Sequence, residues 1–237
     1  MLKIFLDMSK NIFTFDFMKL SLAEENYLKA IYHLSDGGDL GVSTNAIAEE
    51  LSTKPASVSD MIRKLSQKDV VDYQKYKGVQ ISKKGKQMAL QVIRKHRLWE
   101  VFLVEKLNFT WDEVHEVAEQ LEHIKSPILI SRLDKFLGYP TMDPHGDPIP
   151  NEHGEIKENP QLPLTELSIE SKGIVVKVPD GDPSLLRHLD KIKMRLGSII
   201  QIKDIVEYDQ SVLIQIDQSS EVYISGEIAK NIMLAVK

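Results

Sequence analysis

The chain has 237 residues, 42% of them hydrophobic and 27% charged, with a formal net charge of -5 and no cysteine. That composition fits one large or two to three small globular domains, and it excludes disulfides, thiolate metal sites and cysteine nucleophiles. Any bound metal must be held by nitrogen, oxygen or thioether sulfur.

No stretch approaches the roughly 18 consecutive apolar residues of a membrane span. The opening MLKIFLDMSKNIFTFDF is interrupted by Lys3, Asp7, Lys10 and Asp16 and has no small-residue cleavage site. It reads as an extension over residues 1–17 and not as a secretory signal, which makes the expected location cytoplasmic. Residues 22–35, LAEENYLKAIYHLS, follow with helical apolar spacing and end at Gly37 and Gly38. VSTNAIAEEL is a short helix with Ser43 or Thr44 as its N-cap. After an STK turn, PASVSDMIRKLSQKD opens on Pro55 and places Val58, Ile62 and Leu65 on one face. Two short helices joined by a tight polar turn predict a helix-turn-helix. VVDYQKYKGVQIS then reads as a basic hairpin, the wing, turning at Tyr76, Lys77 and Gly78.

Charge supports this division. Residues 54–95 hold eleven lysines and arginines against three aspartates, a net +8, which leaves -13 for the rest of the chain. A basic module on an acidic body suits a polyanion such as double-stranded DNA. The expected contacts are Lys54, Ser57, Ser59, Asp60, Arg63 and Lys64 from the recognition helix, with Lys75 and Lys77 from the wing. Short hydroxyls read bases weakly, so phosphate contacts and DNA shape are expected to supply much of the affinity.

A long helix is predicted from Lys84 to about Leu107. Its second half, LWEVFLVEKL, is apolar nearly all round, and Leu98, Trp99, Phe102 and Leu103 are therefore expected to bury in a homodimer interface. Helices at about 111–124 and 127–137 complete that unit. Six prolines between 139 and 163 mark a linker. From Leu164 onward, alternating runs such as GIVVKV and VLIQI predict a small all-β barrel. The fold class is mainly α with a small β domain. The boundaries read as an extension 1–17, a winged helix-turn-helix domain 18–88, a helical domain 89–138, a linker 139–163 and a β domain 164–237.

One constellation carries chemistry. In WDEVHEVAEQLEH, His115, Glu119, Glu122 and His123 fall at i, i+4, i+7 and i+8, one stripe of a helix. His96 and Glu100 make a second i, i+4 pair. Imidazole and carboxylate together bind divalent first-row metals, although such a stripe is also what the wet side of an amphipathic helix looks like. HExxH, GxSxG, GxGxxG and GxxxxGK[ST] are all absent, so no enzyme is expected.

These residues carry a resemblance. EENYLKAIYHL, PASVSDMIRKL, RKHRLWEVFL, VHEVAEQLEH and HGDPIP together resemble the diphtheria-toxin-repressor family of iron- and manganese-dependent regulators, over about Leu20 to Val236. The tail resembles the SH3-like domain shared with FeoA iron-transport proteins. The resemblance implies a homodimeric repressor of metal-uptake genes, with Mn²⁺ or Fe²⁺ activating operator binding by fixing the dimer geometry. It implies a primary site of Asn26, Glu119, Glu122 and His123. It also implies an ancillary site of His96, Glu100 and His115, with Asp180 or Asp182 as a possible further ligand. Asn26 departs from the family, where iron-responsive members have Met and manganese-responsive members Asp. Glu119 matches the manganese type, but Lys29 stands where that type has an acid. The absence of sulfur among these ligands favours Mn²⁺ over Fe²⁺. The alternative is a metal-independent winged-helix regulator that responds to an organic effector.

Overall fold

The computed structural model describes residues 20–74, 78–157, 160–179 and 181–236, which fall into two compact units dividing between Lys86 and Gln87. The extension over residues 1–17, the wing lysines Lys75 and Lys77, and Asp180 lie outside the described residues.

In the first unit, helix α1 spans Leu22–Leu34 and starts on a capping box. The Glu24 N–H donates to Ser21 Oγ (3.3 Å) and the Ser21 N–H to Glu24 Oε2 (2.7 Å). That satisfies two of the orphan donors at a helix start. Helix α2, Thr44–Glu50, is capped by Ser43, and α3, Pro55–Ser66, has proline in its first turn. Their apolar faces (Ile47, Ala48, Val58, Ile62, Leu65) bury together with Leu28 and Ile31 of α1. Strands β1 (Val71–Gln74) and β2 (Gly78–Ile81) pair antiparallel, and Val79 also bridges to Val42. Gly78 has φ +83°, and a Cβ there would lie 2.5 Å from the Val42 carbonyl oxygen, so only glycine fits.

Helix α4, Lys83–Leu107, runs into the second unit, where α5 (Val114–Leu121) and α6 (Pro127–Phe136) follow. Leu98, Trp99, Val101 and Leu103 of α4 bury against Val114, Ala118, Leu133 and Ile149. This corrects the expectation drawn from LWEVFLVEKL. Leu98, Trp99 and Leu103 are covered within the chain, and Phe102 is partly buried on the same core. Among the described residues 87–139, the large apolar side chains that stay exposed are Leu107, Ile128, Leu129, Phe136 and Tyr139.

The C-terminal part holds strands β3 (Leu162–Pro163), β4 (Lys172–Lys177), β5 (Ile199–Ile205), β6 (Val212–Ile216), β7 (Ser220–Ile224) and β8 (Met233–Ala235). They form one antiparallel sheet in the order β3-β8-β4-β5-β6-β7. Two helices, α7 (Pro183–Lys191) and α8 (Gly226–Lys230), break the expected all-β pattern. Asp182 caps α7 by accepting the N–H groups of Ser184 and Leu185, so DPSLLRHL is a helix start. Leu186 and Leu189 of α7 join Val175, Ile200, Ile202, Ile214 and Leu234 in the core.

The stretch read as a linker is partly built into the fold. Asp143, His145, Asp147 and Ile149 are buried. Gly146, at φ +90°, passes so close to β4 that a Cβ would sit 1.8 Å from the Val176 carbonyl oxygen. The Val178 N–H donates to the His145 carbonyl, and Lys177 pairs with Asp147. No helix among the described residues is long and apolar enough to cross a membrane.

Candidate metal centre

The i, i+4 spacing on α4 brings His96 and Glu100 to one face, where they meet the polar stripe of α5. His96 Nδ1 lies 2.7 Å from Glu122 Oε2, and His96 Nε2 lies 3.0 Å from Glu100 Oε1. Both ring nitrogens of His96 thus face carboxylate oxygens at hydrogen-bonding distance. His115 bridges the same two helices, with Nδ1 at 3.6 Å from Glu100 Oε1 and Nε2 at 3.6 Å from Glu119 Oε1. The His115 ring meets that of His96 edge-on, centroids 4.9 Å apart. His123 Nε2 stands 3.5 Å from Glu122 Oε1.

A third segment contributes residues that the sequence reading passed over. His145 Nδ1 points at Glu100 Oε1 from 3.9 Å. Its Nε2 is 2.8 Å from the Trp111 carbonyl oxygen, and the two rings stack with 6° between their planes. A carbonyl can only accept, so Nε2 carries a proton and Nδ1 is the ring atom that faces the cluster, an outer contact that orients a ligating histidine. Asp143 is fixed from behind. Its Oδ1 accepts the N–H groups of His145 (2.8 Å) and Asp147 (2.9 Å), and Arg97 Nε stands 3.4 Å from Oδ2.

Three triads follow, each with one ligand atom per residue and those atoms within 4.8 Å of one another. They are His96, Glu100 and His115; His96, Glu119 and Glu122; and Glu100, Asp143 and His145. His96 belongs to two triads and Glu100 to two. The structure thus joins what was expected as separate primary and ancillary sets, placing His96 against Glu122 as well as Glu100. Glu100 and Glu122 are wholly buried, while the Glu119 side chain is 45% exposed.

The electrostatics are those of a cation site. Burying a carboxylate costs several kcal/mol unless charge and hydrogen bonds offset it. Burial alone would raise the Glu100 carboxyl. The neighbouring imidazoles of His115 and His96, with the charge of His145, outweigh it and hold Glu100 down to about 2. Asp143 goes the other way. Burial, then repulsion from Asp147 and Glu100, outweighs Arg97 and pushes it up to about 8. Glu100 Oε2, Asp143 Oδ2 and His145 Nδ1 are buried with no hydrogen-bond partner. Oxygen and imidazole donors left unsatisfied at one place fit a divalent first-row cation.

The remaining predicted positions are accounted for individually. Asn26 lies on α1 in the first unit, and its Oδ1 is buried without a hydrogen-bond partner. Asp182 is the exposed N-cap of α7, with its oxygen engaged by Ser184 and Leu185. Asp143 and His145 were missed because they sit among prolines and a glycine, where loop composition masks ligand chemistry. The available signal was an Asp and a His two residues apart in MDPHGDPIP. Lys54, Ser57, Ser59, Asp60, Arg63 and Lys64 are all exposed on or beside α3.

Comparison with known proteins agrees along the chain. Residues 19–79 match the iron dependent repressor N-terminal DNA binding domain, residues 82–151 its metal binding and dimerisation domain, and residues 162–236 the FeoA domain. The iron-dependent repressor IdeR of Mycobacterium leprae is 36% identical over 126 residues, 53% of this chain and 54% of that protein. The chain therefore matches about half the length of its mycobacterial relatives. The HTH-type transcriptional regulator MntR of Oceanobacillus iheyensis is 32% identical over 115 residues, 48% of this chain and 77% of that protein. A solved manganese-dependent transcriptional repressor in complex with manganese superposes with a TM-score of 0.81 at 34% identity, covering 90% of this chain and all of the other. The first of these relatives is iron-dependent and the solved repressor manganese-dependent, which leaves the organic-effector alternative without support. By its DNA-binding, metal-binding and FeoA segments alike, the chain belongs to the diphtheria-toxin-repressor family of metal-dependent transcriptional regulators.

Proposed function

We propose that the protein is a homodimeric, metal-activated repressor that binds double-stranded operator DNA in the cytoplasm and controls metal-uptake genes. The observation that carries this reading is the set of three interlocked triads around His96 and Glu100, with buried oxygen and nitrogen atoms left without hydrogen bonds. A divalent cation held there would supply positive charge to two wholly buried glutamates and would favour the ionised form of Asp143 beside them. The protein's part is to hold the donors in place: α4 carries His96 and Glu100, α5 carries His115 and Glu119, the turn that ends α5 carries Glu122 and His123, and the 143–149 loop adds Asp143 and His145. Asn26 remains the sequence-based candidate for a ligand from α1. Activation is a population shift, the metal-bound dimer favouring the spacing of recognition helices that two half-sites require.

Mn²⁺ is the favoured co-repressor over Fe²⁺. Every proposed ligand offers oxygen or imidazole nitrogen, a harder donor set than one containing sulfur. Intrinsic affinity rises toward the later first-row metals regardless, so affinity alone does not identify the physiological ion. The test is anaerobic, metal-by-metal titration of DNA binding against a chelator control. Equal DNA affinity with and without chelator would sink the metal reading, and activation by Fe²⁺ but not Mn²⁺ would reverse the preference.

A further inference from the structure

The exposed side of α3 offers few groups able to read a base. Ala56 has only a methyl group. The Ser59 hydroxyl donates to the Pro55 carbonyl at 3.0 Å, so its proton is spent inside the helix. Lys54 and Lys64 carry point charges on flexible stems, suited to phosphates and poor at telling bases apart. The planar forks on this face belong to Asp60 and Arg63, and they are joined: Arg63 Nη1 donates to Asp60 Oδ1 at 3.2 Å, with side chains 71% and 68% exposed.

Stability does not explain this pair, because a solvated i, i+3 ion pair contributes about 0–1 kcal/mol. Non-specific affinity does not explain it either, since an aspartate beside phosphates opposes binding. What the bond does is orient. It draws the Arg63 guanidinium one turn back toward the Pro55 end of α3, the end that a recognition helix presents to base edges. Arginine has five N–H donors in a fork and Asp60 engages one nitrogen of it, which leaves donors for the O6 and N7 acceptors of guanine.

We propose that Arg63 reads a guanine in the major groove of each half-site, that Asp60 is its positioning residue, and that the lysines of this face contact phosphates. The proposal rests on the DNA-binding reading above and names the residues that give it sequence selectivity.

The test begins with selection from a randomised duplex library by the full chain in Mn²⁺. The selected duplex and its single-base-pair variants are then titrated at several salt concentrations against wild type, Arg63→Ala, Arg63→Lys, Asp60→Ala and Lys64→Ala. One G·C pair per half-site should lose roughly tenfold or more of its discrimination in Arg63→Ala. Arg63→Lys should lose the same discrimination while keeping the salt dependence, because it retains the charge and not the fork. Asp60→Ala should lower discrimination at that pair while tightening binding to unrelated DNA. Lys64→Ala should weaken all duplexes alike and reduce the salt slope by about one. Wild-type discrimination at every pair in Arg63→Ala, or in Arg63→Lys, overturns the proposal. Selective binding that ignores the metal but still collapses in Arg63→Ala would support this inference and remove the metal reading. Absence of any sequence-selective binding by the wild type would overturn both.

Discussion

Two polar faces of this protein look alike in sequence and differ in what they cost. The outward side of α3 carries Ser57, Ser59, Asp60, Arg63 and Lys64 in solvent. The facing sides of α4 and α5, with the residue that caps α5, carry His96, Glu100, His115, Glu119 and Glu122, of which His96, Glu100 and Glu122 are buried. Water solvates the first set, so its presence requires no compensation and says little alone about what it binds. Withdrawing the second set from water is expensive, and that expense points to a cation. Burial, more than residue type, separates a wet helix face from a metal site.

The sharpest way to break this contrast is to remove a ligand from the buried face. Glu122→Ala and His123→Ala should abolish metal-dependent DNA binding, a larger loss than the ~10–100-fold seen when residues that merely support ligands are changed. The dimer should survive in both, since neither touches the apolar face of α5. A wild-type metal response in either variant, read by titration against a chelator, would return the stripe to an ordinary helix surface.

Packing offers the next contrast. Leu98 is wholly buried inside the chain while Phe136 is 65% exposed. Leu98→Ala should destabilise the fold by about 2–5 kcal/mol in urea unfolding. Phe136→Ala should change monomer stability by less than about 0.5 kcal/mol. If the exposed apolar side chains of α6 meet the second copy, Phe136→Ala should weaken self-association in sedimentation, and unchanged association would place the interface elsewhere.

Proton linkage distinguishes two carboxylates of the same cluster. Asp143 is pushed up to about 8 from an ordinary 3.8, so the folded metal-free chain holds a proton that the unfolded chain has released. Its contribution is complete at low pH and is lost as pH rises through the folded value. Glu100, held down to about 2 from 4.5, contributes at neutral pH and loses that contribution as pH falls. Asp143→Asn should therefore flatten the fall in metal-free stability between about pH 5 and about pH 8. Chemical denaturation in chelator at both ends of that range measures it, and an unchanged slope would show that another group is responsible.

The smallest expected effect concerns the tail. Asp182→Ala removes the N-cap of α7 and should lower the urea midpoint slightly. Its metal-response curve should overlay that of the wild type, because the carboxylate is already engaged by Ser184 and Leu185. A shifted curve would restore Asp182 as a ligand.

Local pattern alone determined much of this protein. The spacing of Val58, Ile62 and Leu65, the Pro55 start and the Ser43 cap specify α2 and α3, because helix periodicity and capping act over a few residues. The i, i+4 pair His96–Glu100 and the stripe from His115 to His123 were legible for the same reason. Tertiary structure decided everything that depends on distant segments meeting. It covered Leu98, Trp99 and Leu103 within the chain, since hydrophobicity says that a side chain will be buried and not against what. It made DPSLLRHL a capped helix within a domain whose strand alternation dominated the reading. It linked His96 to Glu122 across two helices, and it carried Asp143 and His145 from a proline-rich stretch to Glu100. The physical reason is the same throughout: a metal-binding set is defined by distances of a few ångströms, and residues more than forty positions apart acquire such distances only when the chain packs.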